Sequence, residues 1–231
     1  PRFSPVNETL SYMSFQNDQP RVWIYNMSTG QQQPVGAFES MSFAGRFSPD
    51  GRNLVFSVTR SGNSDIHVYD VGSRTTRRLT SGNSIDTSPS YSPDGRRIVF
   101  ESDRGGSQQL YVMNADGSGA QRISFGEGRA GSPVWSPRGD LIAFTRIQGG
   151  KFRIAVIRPD GSGERLLTDS WQDEGPSWSP NGRVILFSRT ERSGKSSLLS
   201  ILALNERHTA GELALFGRPV SGMPVRDLAR L

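Results

Sequence analysis

Few side chains in this sequence are of a type that could catalyse a reaction or bind a metal ion. The carboxylates among them lie in segments that vary, whereas the sequence on either side of those segments is repeated along the chain. Three carboxylates, Asp86, Asp173 and Glu174, are of the type that ligates a cation or serves as the acid and base of a glycosidase. No EF-hand spacing accompanies them, so we expect solvated acids, no bound metal and no cofactor. The only histidines are His67 and His208, and there is neither a cysteine nor a Gly-x-Ser-x-Gly nucleophile elbow. These features favour a protein that binds over an enzyme.

The composition is typical of many short strands joined by tight turns. Only 34% of the 231 residues are apolar and 9% are aromatic, whereas Gly (26) and Pro (14) are frequent. No apolar run reaches the length that a membrane span requires, so we expect no membrane insertion. The net charge of +5 comes from arginines that are scattered and interleaved with acids, which indicates a solvated surface and no nucleic-acid partner.

A repeat organises the chain. An aromatic–Ser–Pro tripeptide occurs five times, and its aromatic residues are 44, 44, 44 and 43 positions apart. Asp-Gly, Arg-Gly or Asn-Gly follows four of the five copies, and Pro with Gly in this spacing predicts a tight hairpin turn. The aromatic residues are Phe3, Phe47, Tyr91, Trp135 and Trp178.

Each repeat predicts four antiparallel strands. A short aromatic strand is followed by three longer ones, such as 97–101, 109–113 and 121–124 in the third copy, separated by Gly-rich turns. Four strands in about 44 residues is the blade of a β-propeller. The predicted fold is all-β, with about five four-stranded blade units that begin near residues 1, 45, 89, 133 and 176. We expect the fixed aromatic column to pack between blades.

Both ends depart from the repeat. The chain begins with Pro1 inside a repeat, and we expect an N-terminal part of the protein to precede it. The propeller pattern ends at residue 204, and residues 205–231 form an atypical tail without the Asp-Gly-Ser-Gly turn. We interpret this tail as an out-of-frame extension, with a short helix as the alternative.

Several strings resemble the C-terminal propeller of the TolB family. They include Ile85-Asp-Thr-Ser-Pro-Ser-Tyr-Ser-Pro-Asp-Gly95, Tyr111-Val-Met-Asn-Ala-Asp-Gly117 and Glu174-Gly-Pro-Ser-Trp-Ser-Pro-Asn-Gly-Arg183. The resemblance covers roughly residues 1–204. It implies a six-bladed type of propeller, of which this chain supplies about five blades, and it implies that an N-terminal α/β domain is absent here.

The resemblance also implies a function. TolB-family proteins are non-enzymatic periplasmic adaptors of the Tol–Pal system in Gram-negative bacteria, and they support outer-membrane integrity and cell division. Their propeller binds the lipoprotein Pal, and an N-terminal segment that is not in this chain contacts TolA. The expected location is therefore the periplasm, and the expected partner is Pal.

The segments before each aromatic strand are the predicted contact site, because variable loops on a rigid repeated scaffold usually carry recognition. In the TolB family the Pal-contacting positions match Met41, Ala44 and Thr87 here, although family members carry His at the first of them. The complete predicted set is Met41, Phe43, Ala44, Ile85, Asp86, Thr87, Arg129, Asp173 and Glu174.

Two other functions remain open at this point. The chain could be the propeller of a prolyl-oligopeptidase-type hydrolase that has lost its catalytic domain, or a generic scaffold propeller.

Overall fold

The chain folds into strands and turns. A computed structural model describes residues 2–15, 19–37, 40–190 and 197–203 and the strand residues 214–215 and 218–219; from Thr190 onward it describes the backbone alone. Among the described residues there is no helix, and so none that is long and apolar enough to cross a bilayer.

The described residues form twenty-one strands, which are arranged in five blade sheets and one small pair. The first sheet contains β1 (Arg2–Phe3), β2 (Thr9–Ser14), β3 (Arg21–Asn26) and β4 (Gln32–Pro34). The second contains β5 (Met41–Phe47), β6 (Asn53–Arg60), β7 (Asn63–Asp70) and β8 (Thr76–Arg78), and the third β9 (Asp86–Tyr91), β10 (Arg97–Ser102), β11 (Gln109–Asn114) and β12 (Gln121–Arg122). The fourth contains β13 (Arg129–Trp135), β14 (Ile142–Gln148), β15 (Lys151–Ile157) and β16 (Arg165–Leu166). The fifth contains β17 (Asp173–Trp178), β18 (Val184–Thr190) and β19 (Ser197–Ala203), and β20 (Ala214–Leu215) pairs with β21 (Arg218–Pro219).

Every blade sheet is an antiparallel meander, with its strands in chain order. Residues from the first strand of all five sheets line the same cavities, so these inner strands surround a central channel. Each inner strand begins at one end of the channel, which we call the mouth face (segments 41–44, 85–87, 128–131 and 171–174). It ends at the opposite end, the turn face, where the Ser-Pro turns lie. The predicted all-β propeller is therefore confirmed.

The apolar core lies between neighbouring sheets. Val22 and Ile24 of the first sheet pack with Leu54 and Phe56 of the second, and equivalent clusters join each later pair of sheets. Phe47, Tyr91, Trp135 and Trp178 each belong to one of these clusters. The predicted packing role of the aromatic column is thus confirmed for these four blades. Phe3 is 67% exposed, because no described sheet precedes its own.

In the second, third and fifth sheets, the serine of the aromatic–Ser–Pro copy closes the turn that follows it. In the third sheet the Ser92 hydroxyl donates to Asp94 at 2.5 Å and accepts from the Arg97 backbone N–H at 2.9 Å. Asp94 also accepts from the Arg96 N–H at 3.1 Å, and Gly95 completes the turn with a φ of 70°. Ser48 and Ser179 make the same contacts, with Asn181 in place of the aspartate in the fifth sheet. The predicted hairpin turn is confirmed, and the serine is one of its structural parts.

The mouth segments, which vary between repeats and were predicted as loops, are β-strand over much of their length. Four inner strands begin at residues 41, 86, 129 and 173, a few residues before the predicted blade starts. Each strand continues across a β-bulge, where two residues face a single buried phenylalanine of the next strand. The first bulge residue has a positive φ in all four sheets: Ala44 (57°), Ser88 (54°), Ser132 (52°) and Gly175 (66°). The same bulge therefore sets the backbone conformation beside the mouth face in all four of these sheets.

The predicted tail lies almost wholly outside the described residues. Only the short pair β20 and β21 falls within it. The boundary at residue 204 and the interpretation of residues 205–231 stay predictions.

Replacing Ser92 with alanine tests the turn. The variant loses two hydrogen bonds, and we expect it to lower the free energy of unfolding by about 1–2 kcal/mol. The Ser92 hydroxyl, followed by the Arg96 N–H, lowers the pKa of Asp94, so this stabilisation exists above the pKa of the unfolded carboxyl and is lost as pH falls through the folded value. Urea unfolding at pH 7 and pH 3 measures both effects. Ser107→Ala, at an exposed site in the same sheet, should change neither.

Candidate protein-binding surface

Each mouth segment is fixed to the sheet before it. The Ser42 N–H donates to Pro20 O at 2.9 Å, the Ala130 N–H donates to Gln108 O at 2.9 Å, and the Phe152 N–H donates to Trp171 O at 3.0 Å. Ser64 contacts Ser84 in the same way at 3.3 Å. In all four cases the partner lies at the start of the third strand of the preceding sheet or on the segment beside it. In the described residues, the mouth face is therefore built largely from hydrogen-bonded backbone.

Seven of the nine predicted contact residues reach the mouth surface or the channel rim. Met41 and Ile85 are 38% and 44% exposed, which is high for large apolar side chains. Ala44 and Arg129 are exposed, and Phe43, Thr87 and Glu174 are half-buried. These residues come from four consecutive sheets, so the propeller brings together positions that are more than 130 residues apart in the chain.

The remaining two, Asp86 and Asp173, are fully buried, and their prediction as solvated acids is wrong. Asp86 is paired with Arg104 at 2.8 Å and Asp173 with Arg189 at 2.8 Å, and both carboxylates have no exposed surface. The two aspartates occupy the same place in their repeats, five residues before the aromatic. They form ion pairs within their own sheets and present no side chain to a partner.

The balance of effects on Asp173 favours its charged form. Burial raises the pKa of Asp173, but hydrogen bonds to its carboxylate, chiefly from Arg189 at 2.8 and 3.1 Å, outweigh burial and lower it overall. Arg189 also lies over the Phe187 ring at 5.5 Å. Arg104 lies over the Phe100 ring at 5.2 Å in the same way, so each arginine holds a mouth strand and covers the core beneath it.

Glu101 joins the mouth segments of two sheets. Its carboxylate accepts from the Thr87 hydroxyl at 2.5 Å, from the Ser88 hydroxyl at 2.9 Å and, in the next sheet, from the Ser132 N–H at 2.7 Å. A Cβ atom at Gly131 would come within 2.5 Å of Glu101 Oε2, so only glycine fits there without a shift. Thr145 makes the corresponding contact with the Gly175 N–H in the following pair of sheets, at 3.3 Å. In both cases a backbone N–H in the bulge of one sheet donates a hydrogen bond to a side chain of the sheet before it.

The mouth face also exposes four large apolar side chains that were not predicted as contacts from the sequence. Trp171 is 44% exposed, Met13 46%, Phe15 66% and Phe125 70%. Met13 and Phe15 lie at the end of β2, and Phe125 and Trp171 lie just before β13 and β17. Together with Met41 and Ile85 they place an exposed apolar residue on every blade sheet. The sequence did contain a signal for Phe125 and Trp171: each is an apolar residue in an otherwise polar segment before an aromatic strand, which favours exposure on the mouth face.

Histidine and the carboxylates are the described side chains that could ligate a metal ion. No three of the described His, Asp and Glu residues form a group that could hold a metal ion. His67 packs against Phe56 with ring centroids 5.9 Å apart, and burial lowers its pKa. The arrangement of the mouth face is suited to binding a surface.

Comparison with known proteins adds a family to this geometry. Residues 1–212 match the TolB beta propeller domain. A Tol-Pal system protein TolB from Gluconobacter oxydans (strain 621H) is 55% identical over 46 residues, which are 20% of this chain and 10% of that protein.

Two solved structures have the same fold. TolB from Acinetobacter baumannii is 32% identical, with a TM-score of 0.79 over 88% of this chain and 51% of that one. Putative TolB from Agrobacterium tumefaciens is 27% identical, with a TM-score of 0.71 over 78% of this chain and 69% of that one. The chain spans about half the length of the Acinetobacter protein. The match over residues 1–212, most of the 231, shows that the chain belongs to the TolB β-propeller family.

Proposed function

We propose that this chain is a binding adaptor of the Tol–Pal system, and that it docks the lipoprotein Pal on its mouth face. The observation that carries the proposal is the set of large apolar side chains exposed on that face, to which all five blade sheets contribute. Exposed apolar patches with polar surroundings are typical of protein interaction sites. The family membership supports the choice of partner.

The proposed contact set contains the exposed and half-buried predicted residues. It consists of Met41, Phe43, Ala44, Ile85, Thr87, Arg129 and Glu174, to which the structure adds Met13, Phe15, Phe125 and Trp171. Asp86 and Asp173 are positioning residues in this proposal, because each holds its mouth strand through an arginine.

Docking would bury the apolar side chains at the centre and leave charged ones at the rim. Arg129 and Glu174 are suited to that rim, where charges mainly affect orientation and association rate. An interface of this kind buries about 1,200–2,000 Å² in total. The mouth backbone is already fixed by contacts between sheets, so little ordering should accompany binding.

In the cell, the proposal places the protein in the periplasm of a Gram-negative bacterium. Through Pal, it would support outer-membrane integrity and cell division. Contact with TolA is not proposed for the described residues, since the family's TolA-binding segment has no counterpart among them.

Calorimetric titration of the full chain with the soluble domain of Pal tests the proposal, after a melting experiment has shown cooperative unfolding. Saturable one-to-one binding is expected. A folded sample that does not bind Pal would contradict the proposal and favour the generic scaffold.

Replacing Ile85 with aspartate should weaken Pal binding at least tenfold, because a charged carboxylate would be buried at an apolar contact. Leu166→Asp is a matched control: Leu166 is 45% exposed, as Ile85 is 44% exposed, but it lies on the outer strand β16. Equal affinities of the two variants would remove Ile85 from the interface. Melting temperatures confirm that both variants remain folded.

Asp173→Asn should destabilise the fold by about 1–3 kcal/mol, because a buried charged hydrogen-bond acceptor is lost. The pKa of Asp173 is lowered in the folded protein, so its contribution is present above the unfolded pKa and disappears as pH falls through the folded pKa. Chemical unfolding of both proteins from pH 7 to pH 3 should therefore show a shrinking difference. A loss of Pal affinity with no change in stability would instead identify Asp173 as a direct contact.

A further inference from the structure

Two arginines, Arg2 and Arg46, lie inside the central channel. Each immediately precedes the aromatic residue of its repeat, and they lie on the adjacent inner strands β1 and β5. The channel contains two cavities, of about 360 and 380 Å³, one toward the mouth face and one toward the turn face. Both arginines line both cavities, so they are located midway along the channel.

Among the described residues, the walls of the two cavities around these arginines carry no aspartate and no glutamate of their own. The Glu101 carboxylate, however, lies behind the mouth-side cavity, where it accepts from the Ser88 hydroxyl and the Ser132 N–H. Within the described part of the chain, neither arginine forms an ion pair or a hydrogen bond through its side chain. The neighbouring walls are serines, prolines, the aromatic column and apolar residues such as Met13 and Val134.

This arrangement has an energetic cost. Burial, and then the charge of Arg2, lower the pKa of Arg46, and burial lowers that of Arg2. Because a guanidinium group keeps its proton in proteins, the cost is not relieved by deprotonation. Arg2 is exposed to the channel and Arg46 is half-buried, and two neighbouring like charges are stabilised when an anion lies between them.

We propose that the middle of the channel is a binding site for an oxyanion, a carboxylate or phosphate group of a small ligand, held between Arg2 and Arg46. Guanidinium groups are suited to this chemistry because their planar N–H donors match the paired oxygens of such groups. The cavities are large enough for a small organic anion, and their proline and aromatic walls provide contact for an apolar body. Among the described residues, the docking face shares only Ala44 and Met13 with the cavity linings, so Arg2 and Arg46 can be replaced without changing a proposed Pal contact.

Titration of the full chain with two probes tests the site. Sodium phosphate represents the free oxyanion and sodium benzoate a carboxylate on an aromatic body, and sodium chloride keeps the ionic strength constant. The variants are Arg2→Gln, Arg46→Gln and, as a control for the loss of one surface charge, Arg96→Gln on an exposed turn. Calorimetry gives the dissociation constants, and thermal melting gives the stability of each protein without added probe.

Saturable binding of at least one probe is expected, and each channel variant should weaken it at least tenfold whereas Arg96→Gln leaves it unchanged.

Without probe, Arg46→Gln should melt at the same temperature as the natural sequence or higher, because an uncompensated charge is removed. A lower melting temperature would contradict the uncompensated charge on which the proposal depends. Absence of saturable binding for both probes, or equal binding by Arg46→Gln and Arg96→Gln, would overturn the proposal. Stronger binding of benzoate than of phosphate would identify a carboxylate ligand, and the reverse order a phosphate.

Discussion

Apolar contact between neighbouring sheets is the interaction on which this structure depends. A single sheet here is one layer thick, so its large side chains are buried only when another sheet covers them. Phe56, Phe100 and Phe144 are completely buried in this way, one in each of three successive sheets. The inner strands, the channel between them and the alignment of the mouth segments all follow from this stacking. Binding positions far apart in the chain share one surface for the same reason.

The repeat made most of the fold predictable. Alternating apolar residues after a Pro-Gly turn predict a buried strand, and 97–101 indeed lies within β10. The bulges were not predicted, because only one of the four left-handed positions is glycine and the other three are alanine or serine, which rarely adopt that conformation. A signal was nevertheless present: Pro89, Pro133 and Pro176 directly follow three of these positions, and proline inside a strand marks a place where the ladder hydrogen bond is missing.

The candidate site was predictable in position but not in burial. Sequence variation between repeats located the mouth segments, and Met41 and Ile85 are indeed exposed there. Whether a carboxylate faces solvent depends on the residue opposite, and that partner lies 16 to 18 positions later for Asp173 and Asp86. No local pattern identifies Arg189 or Arg104 as that partner. Arg2 and Arg46 were not predicted as channel residues for the same reason: the sequence does not show which side chains lie opposite them.

The contact between Glu101 and Gly131 has an evolutionary consequence. Repeats of one length invite duplication, deletion and exchange of whole blades, yet these sheets are not interchangeable units. Glu101 and Gly131 are matched across two blades, whereas Ser57 and Thr145 occupy the position of Glu101 in blades that are followed by Thr87 and Glu174 at the position of Gly131. An exchange of blades that separates this pair would force the Glu101 side chain to move, so a junction that keeps both blades together costs less stability than one that divides them.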